Sequence, residues 1–114
     1  MIEVVLMDYL SGALDGVPVY PEMPEDSFSH GVILEKTGGA HVGPGVYRST
    51  FAIQCYGESM AQSAELAYQV EALMDSFAEL DSIGACDLNS GPYNFPLVDA
   101  KAYRYQIVYD IIHY

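Results

Sequence analysis

Apolar residues at Ile2, Val5, Leu6, Tyr9, Leu10, Ala13 and Leu14 recur at steps of three and four, which places them on one stripe of a helix. Glu3 and Asp8 fall off that stripe and Gly16 supplies a stop, so residues 1–15 are predicted to be helical. Val17-Pro18-Val19-Tyr20 then reads as a short strand. The acidic, proline-punctuated stretch Pro21–Asp26 ends it, because proline cannot donate to a ladder. Residues 30–36 form a second strand. The segment Thr37–Gly45 holds four glycines and one proline in nine positions, and this composition predicts a mobile hairpin loop.

A period of two follows over residues 46–56. Tyr47, Ser49, Phe51, Ile53 and Cys55 point one way, while Val46, Arg48, Thr50, Ala52, Gln54 and Tyr56 point the other. From Ser59 to Leu80 the period returns to that of a helix. Leu66, Val70, Leu73, Phe77 and Leu80 make its seam, and Ser59 with Gln62 has the spacing of a capping box. Residues 82–88 suggest a strand closed by an Asn89-Ser90-Gly91-Pro92 turn. The last strand, 103–112, alternates again, with Tyr103, Tyr105, Ile107, Tyr109 and Ile111 opposite Arg104, Gln106, Val108 and Asp110.

The predicted order is α-β-β-β-α-β-β. Helices that do not alternate with every strand indicate an α+β fold rather than a doubly wound parallel sheet. The alternation in the two best-defined strands predicts a mainly antiparallel sheet with two helices packed on one face. No linker or repeat divides the chain, so residues 1–114 are read as a single domain.

Charge narrows the possible partners. Sixteen acidic residues against four basic ones give a net charge of −12. Affinity for nucleic acid and for anionic membrane rests on cationic side chains, so sequence-specific DNA binding and membrane binding are both disfavoured. Such a surface suits a wall past which DNA slides, or a mimic of DNA toward a basic partner. The first fourteen residues are apolar, but Glu3 and Asp8 interrupt them and no basic region precedes them, so they are not read as a signal peptide. A cytoplasmic site of synthesis is expected, with Cys55 and Cys86 as reduced, small core residues.

Little in the sequence carries chemistry. The Gly38–Gly45 segment lacks the Lys-Ser/Thr ending of a phosphate-binding loop and no helix follows it. His30, His41 and His113 lack metal-ligand spacing, and the serines lack a nucleophile context. No catalytic residue, metal site or cofactor is therefore assigned, and the chain is read as a non-enzyme. The informative constellation is the polar face of the sheet, with Arg48, Thr50, Gln54, Arg104, Gln106 and Asp110 as a candidate subunit interface. Arg is enriched at interfaces, and an Arg-bearing face on an acidic protomer complements the next copy, which favours a ring or stack. Gly38, Gly39, His41, Gly43 and Gly45 form a candidate contact loop that orders against a neighbouring subunit.

Several phrases together resemble a known family. They are Met1–Leu10, Val19-Tyr20-Pro21-Glu22, Val32–Gly39, Phe51–Tyr56, the Ser59–Leu80 helix, Tyr93-Asn94-Phe95 and Arg104–Ile111. The layout is similar to that of tail-terminator or tail-completion proteins of long-tailed phages and prophages of Gram-positive bacteria, often described as minor capsid proteins. The likeness is one of layout and phrase over essentially the whole chain. It implies an α+β domain that assembles as a hexameric ring, caps the tail tube and forms the surface on which the filled head docks. The implied partners are itself, the tail tube protein and head–tail connector proteins. The implied location is the head–tail junction of the virion, and the 38–45 loop becomes a candidate for contact with the tube. A connector or stopper protein of the same module is the alternative within this class. An acidic DNA-mimicking inhibitor is the alternative outside it.

Overall fold

In the computed structural model, residues 1–24, 29–96 and 103–114 are described. The first helix, α1 (Ile2–Ala13), buries Ile2, Leu6 and Leu10 along the predicted stripe. It ends as Leu14 turns extended while donating its N–H to the Leu10 carbonyl at 2.9 Å, and Gly16 reverses the chain with φ of +71°. A two-residue strand β1 (Val19–Tyr20) follows, shorter than the sequence predicts. Then come β2 (Gly31–Gly43), β3 (Val46–Gly57), α2 (Met60–Met74), a single 3₁₀ turn at Phe77–Glu79, β4 (Ile83–Asn94) and β5 (Tyr103–His113). The order α-β-β-β-α-β-β and the α+β class are those read from the sequence.

The five strands form one sheet in the order β1-β2-β3-β5-β4. β1 runs parallel to β2, and every other pairing is antiparallel. β2 to β5 each span 11 to 13 residues, and the molecule is accordingly elongated, at 45 × 25 × 25 Å. Both helices lie on one face, over Val32 and Leu34 of β2, Phe51, Ile53 and Cys55 of β3, and Ile107, Tyr109 and Ile111 of β5. α1 contributes Leu6 and Leu10 to this core, and α2 contributes Leu66, Ala67, Val70 and Met74. Tyr9 links the two helices, donating its hydroxyl to the Leu73 carbonyl at 2.6 Å while its ring meets Phe77 edge-on at 5.0 Å.

Three expectations are corrected. The predicted helix 59–80 begins as foreseen, with Ser59 accepting from the Gln62 N–H at 3.0 Å, but ends at Met74. Asp75 and Ser76 favour local backbone bonding over helix, and the tighter turn after them carries Phe77 inward to full burial. The glycine-rich segment is not a loop. Gly38, Gly39, Ala40 and His41 pair residue by residue with Thr50, Ser49, Arg48 and Tyr47, and only Pro44-Gly45 turn. Proline fixes the first corner of that turn and Gly45, at φ of +70°, supplies the second, as a type II turn requires. The well-patterned β3 thus imposes pairing on residues with little strand preference of their own.

The third correction concerns β4, which runs to Asn94 through the predicted Asn89–Pro92 turn. Register shifts at Ile83/Ala85, Leu88/Ser90 and Ser90/Tyr93 absorb the irregular residues. A Cβ at Gly91 would sit 2.5 Å from the Gln106 carbonyl oxygen, so only glycine lets the two backbones approach there.

Candidate contact face

Among the described residues, no helix covers the second face of the sheet. Its residues divide into two zones along the strands. At the end formed by Ile33, Gln54, Gln106 and Tyr93, which share one cross-strand row, the face is closed by its own side chains. Gln54 donates to Glu35 Oε2 at 3.2 Å and to Gln106 Oε1 at 3.1 Å, and accepts from the Tyr56 hydroxyl at 3.4 Å. Gln106 in turn donates to the Tyr93 hydroxyl. Gln54 and Gln106 are 7% and 9% exposed, which withdraws both from the candidate interface. Their amides are used in joining β2, β3, β5 and β4, since buried polar groups need partners.

Arg104 belongs to this closed zone. Its Nε donates to the Phe95 carbonyl at 2.9 Å and its guanidinium reaches the Tyr56 hydroxyl at 3.3 Å. The same group lies 4.3 Å from the Phe95 ring centroid and 5.9 Å from that of Tyr56. A guanidinium so placed holds the end of β4 to β5 within the protomer.

The other zone is open. Arg48, Thr50, Asp87, Asp110 and Ile112 line a shallow cavity of about 430 Å³. Thr50 and Asp110 are cross-strand partners, and so are Asp87 and Asp110. The Thr50 hydroxyl donates to Asp110 Oδ1 at 2.6 Å and Asn89 Nδ2 donates to Oδ2 at 2.9 Å. These two bonds, with Arg48 nearby, hold the Asp110 carboxyl below the usual range despite partial desolvation. Arg48 is exposed and makes no ion pair within 4 Å among the described residues; its direct partner on β5 is Ile112. Thr50, and not Arg48, is therefore the direct cross-strand partner of Asp110. Asn89 joins the zone because β4 continues through residues that read in the sequence as a turn, and Asp87 joins it through its pairing with Asp110.

On the helix-bearing side, the hairpin end gathers an aromatic row across three strands. His41, Tyr47 and His113 are successive cross-strand partners, with ring centroids 4.9 and 5.8 Å apart and near-parallel planes. His113 Nε2 lies 2.8 Å from Ser49 Oγ. The sequence hid this row, because His41 was placed in a loop. The glycines named as a contact loop thus fall in and beside β2, with Gly38, Gly39 and Gly43 in the strand and Gly45 in the turn.

The thiols are poorly suited to nucleophilic chemistry. Burial pushes Cys55 up to about 12, and burial with Asp87 and Asp75 nearby does the same for Cys86. Among the described residues, no three His, Cys, Asp or Glu side chains gather as a metal site, and no helix is long and apolar enough to cross a membrane. Compared with protein-family models and with curated proteins, the sequence matches none.

Proposed function

We propose that this chain is a structural protein of phage assembly, a tail terminator that closes into a ring on the tail tube and forms the head–tail interface. The observation that carries the reading is the open zone of the helix-free sheet face. There an exposed arginine stands beside two cross-strand carboxylates, in a chain of net charge −12. A cation with no ion-pair partner of its own among the described residues complements the acidic surface of the next copy. The α+β architecture, with two helices on one face, is also the one implied by the resemblance to tail-terminator proteins. The role is one of contact and not of catalysis. Its partners are further copies of itself, the tail tube protein and head–tail connectors, with the virion's head–tail junction as its place. The acidic remainder lets DNA pass without adhering.

Light scattering after size exclusion, on the protein alone and with assembled tail tube, tests this reading. Rings, hexamers on the tube, are expected, and Arg48→Glu is expected to abolish them while the variant stays folded. A strict monomer under both conditions overturns the proposal. A monomer that instead binds a basic DNA-binding protein tightly, and loses it with added salt, identifies a DNA mimic.

A further inference from the structure

The outer edge of β2 is open over most of its length. β1 pairs only with Val32 and Ile33, and the described residues offer no other strand to this edge. Glu35 to Val42 are all exposed. The Val32 N–H points outward, to the Pro18 carbonyl at 2.8 Å. Alternation along an antiparallel strand then turns the N–H and C=O groups of Leu34 and Lys36 outward as well. The extra residue between Lys36 and Gly38 shifts the phase, so Gly39 and His41 continue the outward row. A row of unpaired backbone groups is a template for another strand.

We infer that this edge pairs, antiparallel and about a two-fold axis, with the same edge of a second copy. Three observations favour a second copy. The run Gly38-Gly39-Ala40 has no side chain larger than a methyl, so two such strands can lie flush at the axis. Residues 31–43 carry one Glu and one Lys, a net charge of −1 + 1 = 0 in a chain of −12, so copies meet least repulsion along this strip. The aromatic row that starts at His113 ends at this edge with His41, an exposed ring that a strand laid along the edge covers.

The opposite edge is a poorer mate. β4 has three register shifts, Pro92 lacks an N–H, and Asp87 adds a negative charge. Pairing of β2 with β4 of the next copy is therefore disfavoured. This inference goes beyond the ring reading and stands without it, since it leaves the helix-free face uncovered.

Amide hydrogen exchange of the full chain, from dilute to concentrated protein alongside light scattering, tests the edge. Dimer formation is expected to slow exchange together at Lys36, Gly39 and His41, by at least about tenfold when the dimer dominates. Gly39→Pro, which deletes one outward N–H, is expected to weaken dimerisation by on the order of tenfold or more. Lys36→Glu leaves the backbone intact and makes the strip acidic; its dimer should be weakened at low salt and recover as salt is added. A protein that stays monomeric at every concentration overturns the inference. So does an oligomer with unchanged exchange at Lys36, Gly39 and His41, or one whose new protection falls on β4. Loss of assemblies larger than a dimer in Arg48→Glu, with the dimer and this protection retained, separates failure of the ring contact from failure of the edge.

Discussion

Thr50 on β3 donates its hydroxyl to Asp110 on β5 at 2.6 Å, and the two are direct cross-strand partners on the face no helix covers. The bond fixes a carboxylate beside Arg48 and lowers its pKa, through Thr50 first and Asn89 second.

That depression makes a stability prediction. An Asp lowered in the folded state stabilises the fold above the unfolded value of about 3.9, and the contribution is lost as pH falls through the native value. Denaturant unfolding followed through the acid range is expected to show a shallower decline for Asp110→Asn than for the parent. Carboxyl chemical shifts should place the Asp110 titration below the unfolded value of about 3.9. An ordinary titration would remove the argument.

His113 has the opposite protonation chemistry but the same direction with pH. Burial is the main cause holding its pKa below 6.5; Lys36 adds to it and Glu3 opposes it. The unfolded chain takes up the proton first, so this contribution is full above about pH 6.5 and is lost as pH falls toward the native value. His113→Gln is expected to flatten the fall in stability as pH drops below about 6.5. Ring-proton shifts of His113 should move at lower pH than those of an unstructured histidine.

The two mid-strand arginines are expected to separate. Arg104 is engaged by Phe95 and Tyr56 within the protomer, so Arg104→Glu should lower stability by about 1–3 kcal/mol through its lost charge-assisted bonds. Arg48 makes no such bonds, and Arg48→Glu should change stability by less than about 0.5 kcal/mol while preventing assembly. Thermal unfolding and light scattering on both variants decide the matter. Equal destabilisation by the two would contradict the division of the face into closed and open zones.

Two glycines provide an internal contrast. A Cβ at Gly57 would meet the backbone nitrogen of Ser63 at 2.6 Å, where β3 hands over to α2. Gly57→Ala is expected to cost about 1–3 kcal/mol, since backbone must shift to admit the methyl. At Gly43 nothing lies within 4 Å and Gly43→Ala should be neutral within about 0.5 kcal/mol. Denaturant midpoints of the two variants check both values.

The sequence by itself determined the element order, the helix stripes and the faces of β3 and β5, because each is a local period that burial on one side enforces. The α1 stripe, the Ser59 cap and the alternation from Phe51 to Cys55 all survive into the structure. It also set the net charge of −12. Only the tertiary structure decided what became of Thr37–Gly45 and Asn89–Pro92. Their local composition favours turns, but β3 and β5 offer unpaired backbone along their full length, and pairing with it overrides weak propensity. Burial likewise divided the polar face that alternation presents as uniform. Gln54, Gln106 and Arg104 closed on one another and on Tyr56, Tyr93 and Phe95 because those partners lie within hydrogen-bond or ring-contact reach across the sheet. Arg48 makes no such bonds and remains exposed beside Asp110, and that difference in partners, set by register and not by residue type, chose the candidate contact zone.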